Sequence, residues 1–478
     1  MRIARAAACA LLTIATAAGC ASSGSESDTK AGAPEAPGSD KAVAKLSVPS
    51  AYDRARGWDE TLHWVPQTVT TLPATGAPRT QGVAMMYAAS EGYTLKMRSV
   101  NDGAVQWTSE PWNPPAQLEG AEGDPQSGEA AEIPDVTTVT QGGHEYVVAY
   151  AHGMRGKSEL REGTEVVRLA LYPADASGSS VKPVRQIDVP VSADVGEVTV
   201  NAQGGRLLVA WGQGGPYPQW SAAVDVTTGK VTPYKDADKL LPQCEKATMC
   251  DGSRVMAATA DGPLVEMGDG GFGMPGHWFS NQVRPDGVSQ RTGFMNQWNG
   301  AVYGVTDGRL LAEWKTGGEY SDESSVWSVH NIRTGALQAG MACQYDGGHH
   351  NVTDDSSDRE YPVVTSPNGR YLAAGPIAFD LKRKKGTCFE GNGDRKTIAI
   401  GSIRNDGTAY GAVIEDGNKP PTGEEKPVIA QVNLGTAGSR PKALGVGTEV
   451  PVIDLLGHGV FLTRDKDKNL RVSVRHER

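Results

Sequence analysis

Phenylalanine is scarce here, at 6 of 478 residues, and cysteine is equally rare at 6. Positive charge is also short: Lys and Arg total 46 against 56 Asp and Glu, a formal net charge of −10. That balance excludes nonspecific nucleic-acid binding, which needs a basic footprint to release counterions. It also argues against adsorption to an anionic membrane surface, since like charges repel within a Debye length. No long apolar run follows residue 20, so no internal transmembrane helix is expected. No GxSxG, HExxH or Walker A motif is present, so no catalytic residue is assigned. What is plentiful is glycine, at 59, with 29 prolines. The glycines follow no G-X-Y period, which excludes collagen. They separate short runs of Val, Thr, Leu and Ala, which excludes wholesale disorder.

The N-terminus has its own grammar. Arg2 and Arg5 precede an apolar stretch from Ala6 to Ala18, and small residues Ala17-Ala18-Gly19 precede Cys20. Residues 1–19 therefore read as a secretory signal peptide. A cysteine placed directly after the small residues resembles the lipobox of bacterial lipoproteins, although Ala17 stands where leucine is usual. The resemblance implies that Cys20 carries a lipid after cleavage. The protein would then sit on the outer face of the cell membrane, anchored covalently. The alternative is an ordinary secreted protein in which Cys20 is incidental. Residues 20–46 hold Ser, Gly, Ala, Pro and scattered charges, so they read as a flexible tether. At about 26 residues its mean reach is roughly 25–30 Å.

Beyond Cys9 in the signal and Cys20, four cysteines remain: Cys244, Cys250, Cys343 and Cys388. In an exported chain they suggest disulfides, with three pairings open. Cys244–Cys250 and Cys343–Cys388 are favoured, because the first closes a short loop and the second ties candidate strands. A zinc site using Cys343 with His349 and His350 lacks the usual ligand spacing.

From residue 83 onward the chain alternates apolar and polar residues in short segments. EYVVAYAH (145–152), EVVRLALY (165–172), GRLLVAWG (205–212) and YLAAGPIAF (371–379) are examples. Each is bounded by Gly, Asn, Asp or Pro, the signature of strands and hairpins. Helical patterns are confined to Tyr52–Trp58 and Asp236–Leu241. The predicted class is all-β. Two turn types recur. SVNDGAVQW (99–107), VDVTTGKVTPY (224–234), VHNIRTGALQ (329–338) and FDLKRKKGTC (379–388) form one. VTDGRLLAEW (305–314), TSPNGRYLAAG (365–375) and RNDGTAYGAV (404–413) belong to the other. Their rough alternation is a degenerate repeat in the size range of propeller blades.

TSPNGRYLAAG resembles the strand pair of WD40-like, TolB-type propellers. AVDVTTGKV and SVNDGAVQW resemble the element of pyrroloquinoline-quinone-like (PQQ-like) propeller repeats. The whole is similar to secreted, actinobacterial-type propeller lipoproteins. This implies one β-propeller over residues 83–478, with an N-terminal extension, 47–82, packing on the ring. Candidate units are 137–190, 195–235, 253–291, 299–340, 361–390 and 396–445. Pairing 450–475 with strands from 83–108 gives seven blades, closed by both termini; eight is the alternative. No PQQ cofactor is expected, because the adjacent-cysteine disulfide and calcium carboxylates of those dehydrogenases are missing.

Two candidate sites stand out. Gly-rich aromatic segments carry Tyr217, Trp220, Phe272, His277 and Trp278, which suit ligand recognition at the channel mouth. A loop with Asp346, His349, His350, Asp354 and Asp355 suits a divalent cation, with a merely solvated acidic loop as its rival. The expected function is a membrane-anchored extracytoplasmic binding or scaffold protein with a protein or glycan partner. The alternatives are a carbohydrate-binding protein or enzyme at the channel mouth, and a metal-responsive accessory subunit of a membrane complex.

Overall fold

The computed structural model describes residues 43–69, 71–118, 120–123, 130–191, 197–212, 220–241, 253–267, 270–288, 300–315, 325–345, 361–391, 394–414 and 427–478. The signal segment, Cys20, Tyr217, Cys244, Cys250 and the loop from Asp346 to Glu360 lie outside the described residues.

The alternating segments become strands that pair antiparallel with their neighbours in sequence, and among the described residues they form eight four-stranded meanders. Blade 1 is Ala74–Ala77, Gly82–Ala88, Tyr93–Ser99 and Val105–Ser109. Blade 2 is Asp135–Gln141, His144–Arg155, Thr164–Pro173 and Arg185–Pro190. Blade 3 is Glu197–Asn201, Leu207–Gly212, Trp220–Val224 and Val231–Tyr234. Blade 4 is Arg254–Thr259, Gly262–Glu266, Phe272–Met274 and Trp278–Phe279. Blade 5 is Gly300–Thr306, Arg309–Lys315, Ser325–Asn331 and Leu337–Cys343. Blade 6 is Val364–Thr365, Tyr371–Ala374, Ile377–Asp380 and Lys385–Cys388. Blade 7 is Thr397–Ile403, Thr408–Ile414, Ile429–Asn433 and Lys442–Ala443. Blade 8 joins Ile453–Leu455, His458–Arg464 and Leu470–Glu477 to Tyr52–Leu62 from the start of the chain.

First strands of several neighbouring blades touch. Ala74–Ala77 meets Asp135–Gln141, Arg254–Thr259 meets Gly300–Thr306, and Thr397–Ile403 meets both Val364–Thr365 and Ile453–Leu455. Ile453–Leu455 then returns to Ala74–Ala77. Shared cores join the remaining neighbours: Val148 and Leu169 of blade 2 cluster with Leu207 and Val209 of blade 3. Leu208 and Ala223 of blade 3 cluster with Val255 and Val265 of blade 4. Blades 5 and 6 meet through a parallel bridge at Gly340 and Lys385. The circuit is closed, and the chain is a β-propeller.

The ring count differs from the favoured seven and matches the alternative of eight. Residues 74–109 build a blade of their own. The C-terminal strands pair instead with Tyr52–Leu62, from Tyr52↔Glu477 to Leu62↔Leu470. Tyr52–Trp58, which reads as a helix in sequence, is thus the closing strand. Asp236–Leu241 yields only a short 3₁₀ turn at Asp238–Leu240.

Tight turns explain much of the glycine. In three equivalent turns between third and fourth strands, Gly103, Gly229 and Gly335 adopt φ of 71°, 77° and 69°. Each donates its amide four residues back, to Ser99, Asp225 and Asn331. Glycine, with no Cβ, reaches this left-handed conformation without strain. In blade 6 the equivalent position is Lys384, at φ 56°. The favoured pair Cys343–Cys388 is a disulfide, with Cα atoms 5.8 Å apart, and ties the fourth strands of blades 5 and 6.

Candidate functional site

The aromatic candidates do not converge. Phe272 is fully buried and Trp278 is 4% exposed, so neither is a recognition residue. Phe272 lies on the third strand of blade 4 and packs edge-on against Trp278 and Trp314. The Trp278 indole is spent on the carbonyl of Ile332, 3.0 Å away. His277 is exposed, with a ring nitrogen 3.2 Å from the carbonyl oxygen of Asp261. It sits in a turn between third and fourth strands, whereas Trp220 opens a third strand at the opposite end of the ring. Trp220 faces Trp211 across the pairing register and lines an apolar groove of about 570 Å³ with Val191 and Tyr234. Of the cation candidates, Asp346, His349, His350, Asp354 and Asp355 are outside the described residues. Cys343, Cys388 and Glu390 do cluster, but both sulfurs are committed to the disulfide and offer no thiolate.

A different constellation forms where blades 1, 2 and 3 meet. Asp135 opens the first strand of blade 2, and the register places Tyr150 of the second strand opposite it. Strand alternation puts His152 on the same face as Tyr150. The Tyr150 hydroxyl donates to Asp135 Oδ2, and the Val136 amide donates to Oδ1 at 2.6 Å. His152 Nε2 lies 2.8 Å from Glu165 Oε1 on the third strand. Arg168, set opposite Ala151 and so on the other face of blade 2, pairs with Asp188, as does Arg155.

The roof is the connection from blade 1. Ala116 and Met154 exchange both backbone hydrogen bonds, at 2.7 and 3.0 Å, strapping this segment onto blade 2. Gly153 permits the approach: a Cβ there would sit 2.4 Å from the carbonyl oxygen of Ala116. Pro114, Pro115, Gln117 and Glu132 then enclose a cleft of about 260 Å³ with Tyr93, Asp135, Tyr150 and His152. Burial there pushes the Asp135 carboxyl up to about 6, partly opposed by the Tyr150 and Val136 hydrogen bonds. Burial, reinforced by the nearby Asp135 charge, also pushes the Tyr150 hydroxyl up. Among the described residues no Lys or Arg pairs with Asp135.

A wider cavity of about 590 Å³ is lined by Thr137, Thr138, Glu145, Asn201 and Asp307. Its buried carboxylate is already used: Glu145 accepts from the Arg79 and Thr80 amides and the Thr80 hydroxyl at 3.0–3.2 Å. Asp307 accepts from the Thr365 hydroxyl at 2.8 Å. The narrower cleft is therefore the stronger site. Sequence reasoning identified EYVVAYAH as a strand but not its chemistry. The usable signal was Tyr150 and His152 at a two-residue spacing beside Asp135, which only the pairing register brings together.

No family model matches this chain, and no curated protein matches it. Among solved structures, it is similar to the Dos1 propeller at 9% identity and a TM-score of 0.35, covering 88% of this chain and 94% of that one. It is similar to a europium-containing methanol dehydrogenase at 11% identity and a TM-score of 0.36, covering 87% and 84%. It is also similar to Porphyromonas gingivalis dipeptidyl peptidase 4, at 11% identity and a TM-score of 0.38, covering 87% and 59%. The propeller assignment here rests on strand pairing and ring closure, and the site on its own geometry.

Proposed function

We propose that this protein is an extracytoplasmic binding module, tethered to the cell membrane through a lipid on Cys20, whose propeller captures a ligand bearing a cationic group. The observation that carries the reading is Asp135: a carboxylate inside a cleft, hydrogen-bonded to Tyr150, with no cation beside it among the described residues. A half-buried carboxylate in that state gains more from an incoming ammonium or guanidinium than a solvated one. Tyr93 and Tyr150 line the same cleft with aromatic rings, which suit a cationic group, and Glu132 adds a second carboxyl group to the lining. The reading assigns recognition and no catalysis.

The test is calorimetric titration with three probes, spermidine, arginine amide and glucosamine, at pH 7.5 and pH 5. One probe is expected to bind at pH 7.5, to weaken at pH 5 as Asp135 takes up a proton, and to lose affinity in Asp135→Asn. Silence with all three, or unchanged affinity in Asp135→Asn, rejects the reading. A second reading is glycan binding in the Trp211–Trp220–Tyr234 groove, supported by the half-buried Trp220 ring. Trp220→Ala is expected to abolish retention on glycan columns; no retention by the parent protein rejects it.

A further inference from the structure

The turn between the third and fourth strands of blade 6 departs from its equivalents. Where three of them place glycine, this one places Lys384 in the left-handed region, inside the run Lys382-Arg383-Lys384-Lys385. Nothing about turn formation asks for lysine there, since Gly or Asn adopts that conformation more readily. Lys382, Lys384 and Lys385 are exposed, and none pairs with a carboxylate among the described residues. The arginines around them are held. Arg370 binds Asp380 at 2.7 Å, and Arg383 lies 3.8 Å from the same carboxylate while donating to the Gly435 carbonyl. That last bond ties the turn to the third-to-fourth hairpin of blade 7, which carries exposed Arg440 in its connection and exposed Lys442 at the start of its fourth strand. Five exposed cations thus sit on two adjacent outer hairpins of a chain whose net charge is −10.

We propose that this paired basic turn docks the propeller onto an anionic phospholipid surface. Four of the five groups are lysines, compact point charges on flexible stems, which suit a diffuse plane of headgroups better than a bidentate pocket. The patch lies on the end of the ring that bears the first-to-second and third-to-fourth turns. Most of those turns are short, such as Gly142-Gly143 and Leu456-Gly457, and the longest, residues 174–184 of blade 2, is held against blade 1 by pairing of Gly178–Val181 with Val105–Ser109. Charge averaged over the chain hides this, because at physiological salt a headgroup senses only charges within about 8 Å. The proposal is independent of the cleft at Asp135 and of lipidation at Cys20.

The experiment uses the full chain carrying Cys20→Ser, so that no acyl chain holds it. Co-sedimentation is measured with vesicles of phosphatidylcholine alone and with vesicles containing phosphatidylglycerol. Binding is expected only to the second, and is expected to vanish in high salt. Lys382→Ala/Lys384→Gly/Lys385→Ala is expected to weaken it about tenfold or more. Lys157→Ala/Arg161→Ala, on the opposite end of the ring, is expected to leave it unchanged. Thermal melting confirms that both variants fold. The proposal is overturned if the parent ignores phosphatidylglycerol, if it binds both vesicles equally, or if both variants lose binding alike. Competition by soluble polyglutamate at equal charge concentration would replace the bilayer with an acidic polypeptide as partner.

Discussion

The Trp278 indole nitrogen donates a 3.0 Å hydrogen bond to the carbonyl oxygen of Ile332, joining the fourth strand of blade 4 to a turn of blade 5. Its ring lies over Gly335, where a Cβ would come within 2.6 Å. The same device recurs: Trp58 of blade 8 reaches Val100 of blade 1 at 3.2 Å, and Trp107 of blade 1 reaches Ala174 of blade 2 at 3.0 Å. Each tryptophan is a fourth-strand residue that rivets its blade to the next. Trp278→Phe keeps the packing but orphans the Ile332 carbonyl, at a cost of about 1–3 kcal/mol. Trp278→Ala also opens a cavity and costs about 3–5 kcal/mol. Urea unfolding of the two variants separates the hydrogen bond from the packing; a Trp278→Phe variant as stable as the parent would leave the bond without a role.

Asp454 gives the seam between blades 7 and 8 a pH dependence. It accepts from the Tyr52 hydroxyl at 3.0 Å and the Ser402 hydroxyl at 2.6 Å, so three elements meet on one carboxyl. Burial pushes its pKa up from 3.8 to about 6, with Glu477 adding to the shift and the two hydroxyls opposing it. The folded state therefore holds this proton more tightly than the unfolded chain. Its stabilising contribution is complete below about pH 4 and is lost as pH rises through 6, by at most about 3 kcal/mol. Asp454→Asn is expected to be more stable than the parent at pH 7.5 and to close that gap by pH 4. Asp135 shifts in the same direction, and His330, lowered to about 4 by burial, in the opposite one. The quantity to measure is therefore the difference between parent and variant, in which both cancel.

The strand pattern made the all-β class and blades 2 to 7 readable before any coordinates, because alternation and Asn-Gly or Asp-Gly turns are local signals. The closing strand was not readable. In Tyr52–Leu62 the stretch Asp53-Arg54-Ala55-Arg56 faces outward on a fourth strand, and its charges break the alternation. Phe272 and Trp278 misled for the opposite reason. Glycines around them read as loop, yet Gly273 is small because the Phe279 ring and the Trp278 backbone occupy the space a Cβ would fill, at 2.4 and 2.6 Å. The cleft was invisible because it depends on a register, Asp135↔Tyr150, and on how the irregular connection from blade 1 folds back over blade 2.

The disulfide between Cys343 and Cys388 closes a loop with a sequence separation of 45 across blades 5 and 6. Loop-closure entropy sets its contribution at about 4 kcal/mol as a ceiling. The two blades also share a parallel bridge, Gly340 to Lys385, the hydrogen bond from the Thr365 hydroxyl to Asp307, and the side-chain core around Trp327 and Phe379. Cys343→Ser/Cys388→Ser is expected to lower the melting temperature by several degrees, and reductant is expected to lower that of the parent by more than that of the variant, which keeps Cys244 and Cys250. An equal reductant effect on parent and double variant would assign the sensitivity elsewhere.

Ring closure places its strictest steric demand on Gly57. Its φ is 144°, a conformation open to glycine, and a Cβ would lie 1.9 Å from the carbonyl oxygen of Val474 in the strand it pairs with. The register shifts between Tyr52 and Gly57, so this residue absorbs an irregularity at the seam. Gly57→Ala must push the closing strand off Leu470–Glu477, with a loss of about 2 kcal/mol or more. The freed edge then exposes unpaired backbone groups, and edge-to-edge association follows. Urea unfolding should show the loss, and sedimentation velocity should show oligomers at concentrations where the parent is monodisperse. Gly276 is the control, with φ 81° in an exposed turn and nothing within 4 Å of a Cβ. Gly276→Asn should leave both readouts near those of the parent, because asparagine tolerates that backbone and meets no neighbour. If Gly57→Ala matches it, the N-terminal strand does not hold the ring shut.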